Sequence, residues 1–423
     1  MHIICDLHLH SRYSLATSPK LDLHSLADAS KRVGIDLLAA PDFTHPTWRA
    51  EMQNELIETE PGSGIFSAHG KDFMLVSEVS CIWRRGSRVR RVHLLISAPN
   101  FDAVDRMCAK FSKLQNLEAD GRPTFSISAR ELFSLIREAD NRCEVIPAHV
   151  FTPWYGVFGS KSGFDSLHEC FGDVTDEVLA VETGLSSDPS MHWSVCDSRA
   201  RSIVSFSDAH SVASMGREAT VLESDEMSYN SVVQALRERN VVETYEFHPE
   251  HGKYHFDGHR KCEVRLHPDE SKELSGVCPE CGRGMTLGVL NRALSLSDGH
   301  MTQAVKDGDG LWHDATGRYA PYRHLIPLIE LLSYTLGVGK TTKRVSQAYT
   351  ALTNALGSEI NVLLCADTAD IVSVIHRPDV AGAIVNARRD EVEVEPGYDG
   401  VYGSAVPKMN ATTLAVKQET LNI

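Results

Sequence analysis

Two histidines one residue apart, His8 and His10, stand in the run Asp6-Leu7-His8-Leu9-His10, directly after the apolar residues Ile3-Ile4-Cys5. Alternate side chains of a strand share a face, so both imidazoles project the same way from the strand's C-terminal end and form a ready pair of metal ligands. The arrangement recurs along the chain. Short apolar runs end in Pro41-Asp42-Phe43-Thr44-His45, Ser77-Glu78, His93, Pro147-Ala148-His149, Glu182-Thr183-Gly184 and Ser207-Asp208-Ala209-His210. Oxygen and imidazole donors with no thiolate among them suit zinc, manganese or iron. More donors converge than one tetrahedral ion takes, so two or three divalent ions are expected.

The elements that must position these residues are legible in outline. Apolar runs at 37–40, 73–76, 92–96, 145–146, 178–181 and 203–206 alternate with segments of helical period at 23–33, 101–114, 129–139 and 229–239. Strands alternating with helices imply βαβ units and a mainly parallel sheet, here an α/β fold of about seven units closing as a barrel. Barrel enzymes build their active sites at the C-terminal ends of the strands, where every donor named above falls.

The chain has 423 residues, 42% of them hydrophobic, enough for two or three globular domains. No run approaches eighteen apolar residues and the first residues do not read as a signal peptide, so a soluble, cytoplasmic protein without a membrane partner is expected. Six of the ten cysteines, Cys5, Cys81, Cys108, Cys143, Cys170 and Cys196, are scattered and read as reduced, buried small hydrophobes. A formal net charge of -15 argues against indiscriminate nucleic-acid binding, while a locally basic track remains compatible with it.

A first region spans 1–248 and a polar, His-rich boundary follows at His248-Pro249-Glu250-His251-Gly252. Within 249–288, Cys262 is separated by fifteen residues from Cys278-Pro279-Glu280-Cys281-Gly282, the spacing of a structural zinc ribbon. His259 or His255 supplies the fourth ligand. The last region, 289–423, reads as a small helical domain, with periodic patterns opening at Pro321-Tyr322-Arg323-His324-Leu325-Ile326-Pro327-Leu328 and repeating over 345–356 and 366–375; residues after Ala411 resemble a frayed tail.

Three further stretches bear on ligands. Trp83 to Arg91 holds five arginines, among them Arg84, Arg85 and Arg88, and reads as a nucleic-acid track or a solvated hairpin tip. The loop after His149 carries Trp154 and Tyr155, suited to stacking a nucleobase or to capping the core. The segment 396–403, with Tyr398, Tyr402 and three glycines, permits close backbone approach to a ligand and equally a tight turn.

The ordered motifs His8-Leu9-His10, Asp42 to His45 and Asp208-Ala209-His210 resemble the PHP phosphoesterase superfamily. That resemblance implies a distorted seven-stranded (β/α) barrel with a trinuclear metal centre. His8, His10, Glu78 and Asp208 would hold one ion. Glu78 would bridge to a second ion held by His93 and His149, and His210 would hold a third with Asp42 or His45. Glu182 would be a ligand or the partner of one, and Asp6 an acceptor for a ligand imidazole. Phosphodiester cleavage needs such residues: two ions about 4 Å apart, bridged by a carboxylate, lower the pKa of a shared water and hold both sides of an in-line displacement. Glu78, Asp208 and His210 are therefore the catalytic candidates.

With the Cys-Pro-Glu-Cys-Gly knuckle, Pro321 to Leu328 and Pro396 to Gly403 in that order, nearly the whole chain resembles endonuclease Q. The resemblance implies a DNA repair endonuclease that cuts 5′ of deaminated bases (hypoxanthine, uracil, xanthine) or abasic sites, leaving 3′-hydroxyl and 5′-phosphate ends. It would need Mg or Mn for activity, with a sliding clamp as a further partner to test. Two alternatives stand beside it. One is a PHP phosphatase of small phosphate monoesters, which would need only the barrel. The other is a non-catalytic nucleic-acid-binding accessory protein.

Overall fold

In a computed structural model of the chain, residues 1–299 and 303–408 are described. The tail after Ala411 lies outside them. Seven strands follow one another round a distorted barrel. His2–Asp6 pairs parallel with Leu37–Ala40, and Leu37–Ala40 parallel with Lys71–Arg85. Lys71–Arg85 is antiparallel to Arg88–Ala98, which is antiparallel to Glu144–Pro147. Ala180–Glu182 and Ser202–Val204 form a separate parallel pair. Leu179 N donates to Val145 O at 3.3 Å on one side of that pair, and a parallel bridge between Leu9 and Ala209 joins the other side to the first strand. Buried Asp6 clamps this seam, accepting from the backbone N–H of Ser207 at 3.0 Å and of Gly216 at 3.1 Å.

The sheet is less parallel than the alternating pattern implies. Gly86, at φ +60°, lets Arg85 pair with Arg88 across a two-residue turn, so the chain returns as a long hairpin instead of through a helix. The helices end where their local chemistry says they must. Asp22 caps Leu23–Val33 by accepting from Ser25 N, and Gly34 at φ +101° terminates it. Ser128 and Glu131 form a capping box at the start of Ala129–Ala139. Both helices bury one apolar stripe, Leu132, Phe133 and Ile136 in the second case. Five of the six scattered cysteines are buried as expected; Cys196, at the start of a short surface helix, is exposed.

Past the barrel, Tyr322–His324 pairs parallel with Val241–Glu246, and Leu311–Asp314 and Ala304–Lys306 extend the same sheet. The stretch from Pro321, whose apolar spacing reads as the opening of a helix, is therefore strand first and becomes helical only at Leu328–Leu336. Tertiary pairing overrides the local pattern here: Leu325 N donates to Glu246 O at 2.8 Å and Arg323 Nε to Glu243 Oε2 at 2.7 Å. From Leu328 to Arg388 five helices enclose a second apolar cluster that includes Leu331, Leu332, Val345, Leu352 and Ile384. Among the described residues, no helix is long and apolar enough to cross a membrane.

Candidate metal centre and nucleic-acid surface

At three strand ends the backbone adopts the left-handed region: Asp42 at φ +53°, His149 at +31° and Asp208 at +46°. A non-glycine residue held there costs on the order of 1–3 kcal/mol and persists only where its surroundings over-determine it. Gly184, at φ +61°, makes room for one of them, since a Cβ there would overlap the side chain of His149.

These turns gather donors into three adjoining groups: His8, His10 and Glu78; Glu78, His93 and His149; and His10, Asp208 and His210. Glu78 belongs to two of them. Its Oε1 lies 2.6 Å from His93 Nδ1, 3.2 Å from His149 Nε2 and 3.6 Å from His8 Nε2, and its Oε2 lies 3.5 Å from His10 Nε2. Asp208 Oδ1 lies 3.0 Å from His10 Nε2, 3.4 Å from His8 Nε2 and 3.5 Å from His210 Nδ1. Ligands about 2.0–2.2 Å from a tetrahedral ion stand roughly 3.4 Å from one another, and most of these separations match that edge. His8 Nε2 is buried with no hydrogen-bond partner among the described residues. The donor set therefore fits divalent ions.

The electrostatics agree. Burial alone would raise the pKa of Glu78, but His93 and His8 outweigh it and hold the carboxyl well below its usual range. Desolvation likewise pushes the partly exposed Asp208 up, but His8 and His10 outweigh it and hold the carboxyl far below the usual range. Burial opposes a charge on His10, yet Asp208 and Asp42 keep its pKa up at about 9, whereas burial takes His93 down to about 4.

Several predicted residues take other places. His45 lies outside all of these groups: its Nδ1 accepts from Trp48 N at 3.4 Å as the cap of helix Pro46–Glu55, and its Nε2 meets Glu118 O at 3.2 Å. Asp42 is fully buried behind His10, 3.4 Å from its Nδ1, and accepts from Ser11 N at 2.6 Å and Ser14 Oγ at 2.8 Å. Asp6 serves the barrel seam and, among the described residues, bonds to no imidazole. The imidazole partner is Glu182, whose Oε1 stands 2.8 Å from His8 Nδ1 while its Oε2 accepts from His149 N at 2.7 Å. Sequence reasoning missed Arg122, which donates to Glu78 Oε2 at 3.0 Å and keeps 23% of its side chain exposed. It sits in an irregular loop between a helix and a two-residue strand, where no periodicity points to it.

Further along, His259, Cys262, Cys278 and Cys281 come together, with Cys281 Sγ 3.4 Å from His259 Nδ1. This is the donor set of structural zinc. His255 lies outside the group and stacks on Phe256.

The nucleic-acid candidates divide. Arg84 and Arg88 are exposed at the hairpin tip, while Arg85 is tied to Glu169 O and stacks over Phe164. Trp154 is 45% exposed; Tyr155 packs on His93 with ring centroids 4.3 Å apart, and the Arg91 guanidinium lies over both rings. The 396–403 segment is a packed turn: Tyr398 bridges to Phe256, and Asp399 accepts from Arg260 N and from Thr286 Oγ1, both at 2.7 Å. Only Tyr402 of its two tyrosines is strongly exposed.

A distorted seven-stranded barrel carrying shared histidine and carboxylate groups at one end places the chain in the PHP class of folds. The profile of the PHP-associated domain matches residues 193–241, and that of the MJ0043 C-terminal domain matches residues 327–391. The whole chain is similar to the crystal structure of PfuEndoQ, a lesion-specific endonuclease from Pyrococcus furiosus, with a TM-score of 0.83 and 29% identity over 100% of this chain and 99% of that one. It matches equally well, at a TM-score of 0.82 and 29% identity with both chains fully covered, endonuclease Q solved with a 27-mer duplex substrate bearing an abasic lesion at the active site. Over its whole length the chain is thus similar to endonuclease Q. An uncharacterized protein of Methanocaldococcus jannaschii, MJ0043, is 34% identical over 260 residues, 60% of this chain, and the match spans 31% of that longer relative.

Proposed function

We propose that the protein is a metal-dependent DNA repair endonuclease that hydrolyses the phosphodiester 5′ of abasic sites and of deaminated bases (hypoxanthine, uracil or xanthine), leaving 3′-hydroxyl and 5′-phosphate ends. The observation that carries this reading is the sharing of Glu78 between two histidine groups at the accessible end of the barrel. A carboxylate shared in this way suits in-line displacement at phosphorus.

Divalent ions bound there supply a water of lowered pKa and charge for the equatorial and leaving oxygens. In this reading His8, His10, Glu78, His93, His149, Asp208 and His210 hold them. Glu182 fixes the tautomer and orientation of His8, and Asp42 does the same for His10. Arg122, beside Glu78 and partly exposed, would meet an oxygen of the scissile phosphate. Trp154 and Tyr155 offer ring faces beside His93 on which an unstacked nucleotide rests, and Arg84 and Arg88 follow the backbone. An abasic or deaminated position is cheaper to unstack than a paired base, which gives part of the selectivity before any pocket reads the lesion. The Cys3His group and the helices after Leu328 complete a surface that a phosphatase of small monoesters does not require.

An end-labelled duplex with one hypoxanthine tests the reading. The expected result is a single nick on the 5′ side of the lesion, with a product extendable by a polymerase, absent with Asp208→Asn and absent from undamaged duplex. No cleavage of hypoxanthine, uracil or abasic duplexes, together with brisk phosphate release from small monoesters, would replace it with the phosphatase reading.

A further inference from the structure

A second histidine and carboxylate cluster lies away from the barrel mouth. His248 follows strand Val241–Glu246, His324 ends strand Tyr322–His324, and Asp390 stands in the turn after helix Pro378–Arg388. All three are at least nine-tenths buried, and one donor atom of each lies within 4.8 Å of the others. Asp390 offers one oxygen to each ring: Oδ1 is 3.4 Å from His248 Nε2, and Oδ2 is 3.5 Å from His324 Nδ1. Those separations are too long for good N–H···O bonds and match the ligand-to-ligand edge of a small tetrahedral ion, about 3.4 Å.

The surroundings are those of ligands held in place. Trp312 Nε1 donates to Asp390 Oδ2 at 2.7 Å, while Asp390 Oδ1 has no hydrogen-bond partner among the described residues, and neither has either ring nitrogen of His324. Asp188 Oδ2 faces His324 Nε2 at 3.4 Å, where it would fix the tautomer that leaves Nδ1 free to ligate. Asp390 adopts φ +52°, the same left-handed turn that Asp42 and Asp208 make at the barrel end.

We infer that His248, His324 and Asp390 supply three ligands of a buried structural site for one divalent transition ion of zinc-like chemistry, distinct from both the barrel-end centre and the Cys3His group. Its ligands come from the barrel's exit strand, the strand added after the Cys3His region and the end of the helical region, so the ion staples the C-terminal part of the chain to the barrel. The inference does not depend on the proposed reaction.

The alternative is an ion triad without metal. Burial would discharge His324, but Asp188 and Asp390 hold its pKa up at about 10, which suits an imidazolium between two carboxylates with His248 stacked on it. Crystals of the wild-type chain grown without added metal, measured at the zinc absorption edge, separate the two. The expected map has one anomalous peak at His259, Cys262, Cys278 and Cys281 and another among His248, His324 and Asp390. A peak at the Cys3His group with none at the second position would overturn the inference. In solution, His324→Gln should carry one zinc fewer per chain by elemental mass spectrometry; an unchanged count in the folded variant would also overturn it.

Discussion

The barrel-end centre and the His248, His324 and Asp390 cluster use the same donors at similar spacings, yet they face different surroundings. At the barrel end, the side chains of Asp208 and His210 keep 26% and 34% of their surface exposed, and Arg122 stands beside them. In the second cluster His324 and Asp390 keep 7% and 5%. A catalytic metal site must be reached by substrate and water, whereas a structural one is shut away from both. Donor chemistry alone does not assign a role; access does.

The comparison can be broken most sharply at Glu78. Glu78→Gln removes the carboxylate shared by two groups, and turnover on a lesion-bearing duplex should fall about a thousandfold or more with the circular dichroism spectrum unchanged. Near wild-type turnover would remove Glu78 from the reaction. Glu182→Gln loosens His8 without deleting a donor of the three groups. The metal concentration needed for half-maximal activity should rise, or activity fall, by roughly 10–100-fold. Trp154→Ala tests whether the open side receives DNA. Affinity for an abasic duplex, read by fluorescence anisotropy, should weaken by about 1–3 kcal/mol, and an unchanged affinity would return Trp154 to the role of surface residue. The smallest effect is expected at His45. His45→Ala should cost about 1 kcal/mol in urea unfolding through the lost helix cap and leave cleavage intact. A loss of activity comparable to that of Glu78→Gln would restore His45 to the metal centre.

Much of the barrel-end centre was legible because strand ends leave a local mark: an apolar run followed by His, Asp or Glu. His8, His10, His149, Asp208 and His210 carried it at true strand ends, whereas Glu78 and His93, read as strand-end residues, lie inside the long strands Lys71–Arg85 and Arg88–Ala98; all seven are brought together. The same mark misled at His45, because a helix begins there and the ring is consumed by the cap. Asp6 departs from its reading for a related reason, whereas Glu182 takes the second of the two roles read for it, partner of a ligand imidazole. Adjacency in sequence put Asp6 near the ligand histidines, but Asp6 precedes His8 by two residues and its carboxylate is taken by backbone amides across the seam. Arg122 and the cluster at His248, His324 and Asp390 could not be read at all. Their donors come from loops and strands far apart in sequence, and only the pairing of Tyr322–His324 with Val241–Glu246 brings two of them together. The four residues of the Cys3His group were named directly because knuckle spacing is a local signature; only the choice between His255 and His259 needed the fold.

The central claim is that the accessible barrel-end groups are a metal-dependent centre for cutting DNA at lesions. Its most direct test is a strip-and-reload experiment. The full-length protein is treated with chelator, then titrated with Mg, Mn or Zn on a duplex holding a single abasic site, beside Glu78→Gln. The account predicts no nicking by the stripped protein, recovery of a single 5′ nick on adding metal, and no recovery by the variant at any metal concentration. Nicking that survives complete removal of metal, or that Glu78→Gln recovers as fully as the wild type, would contradict it.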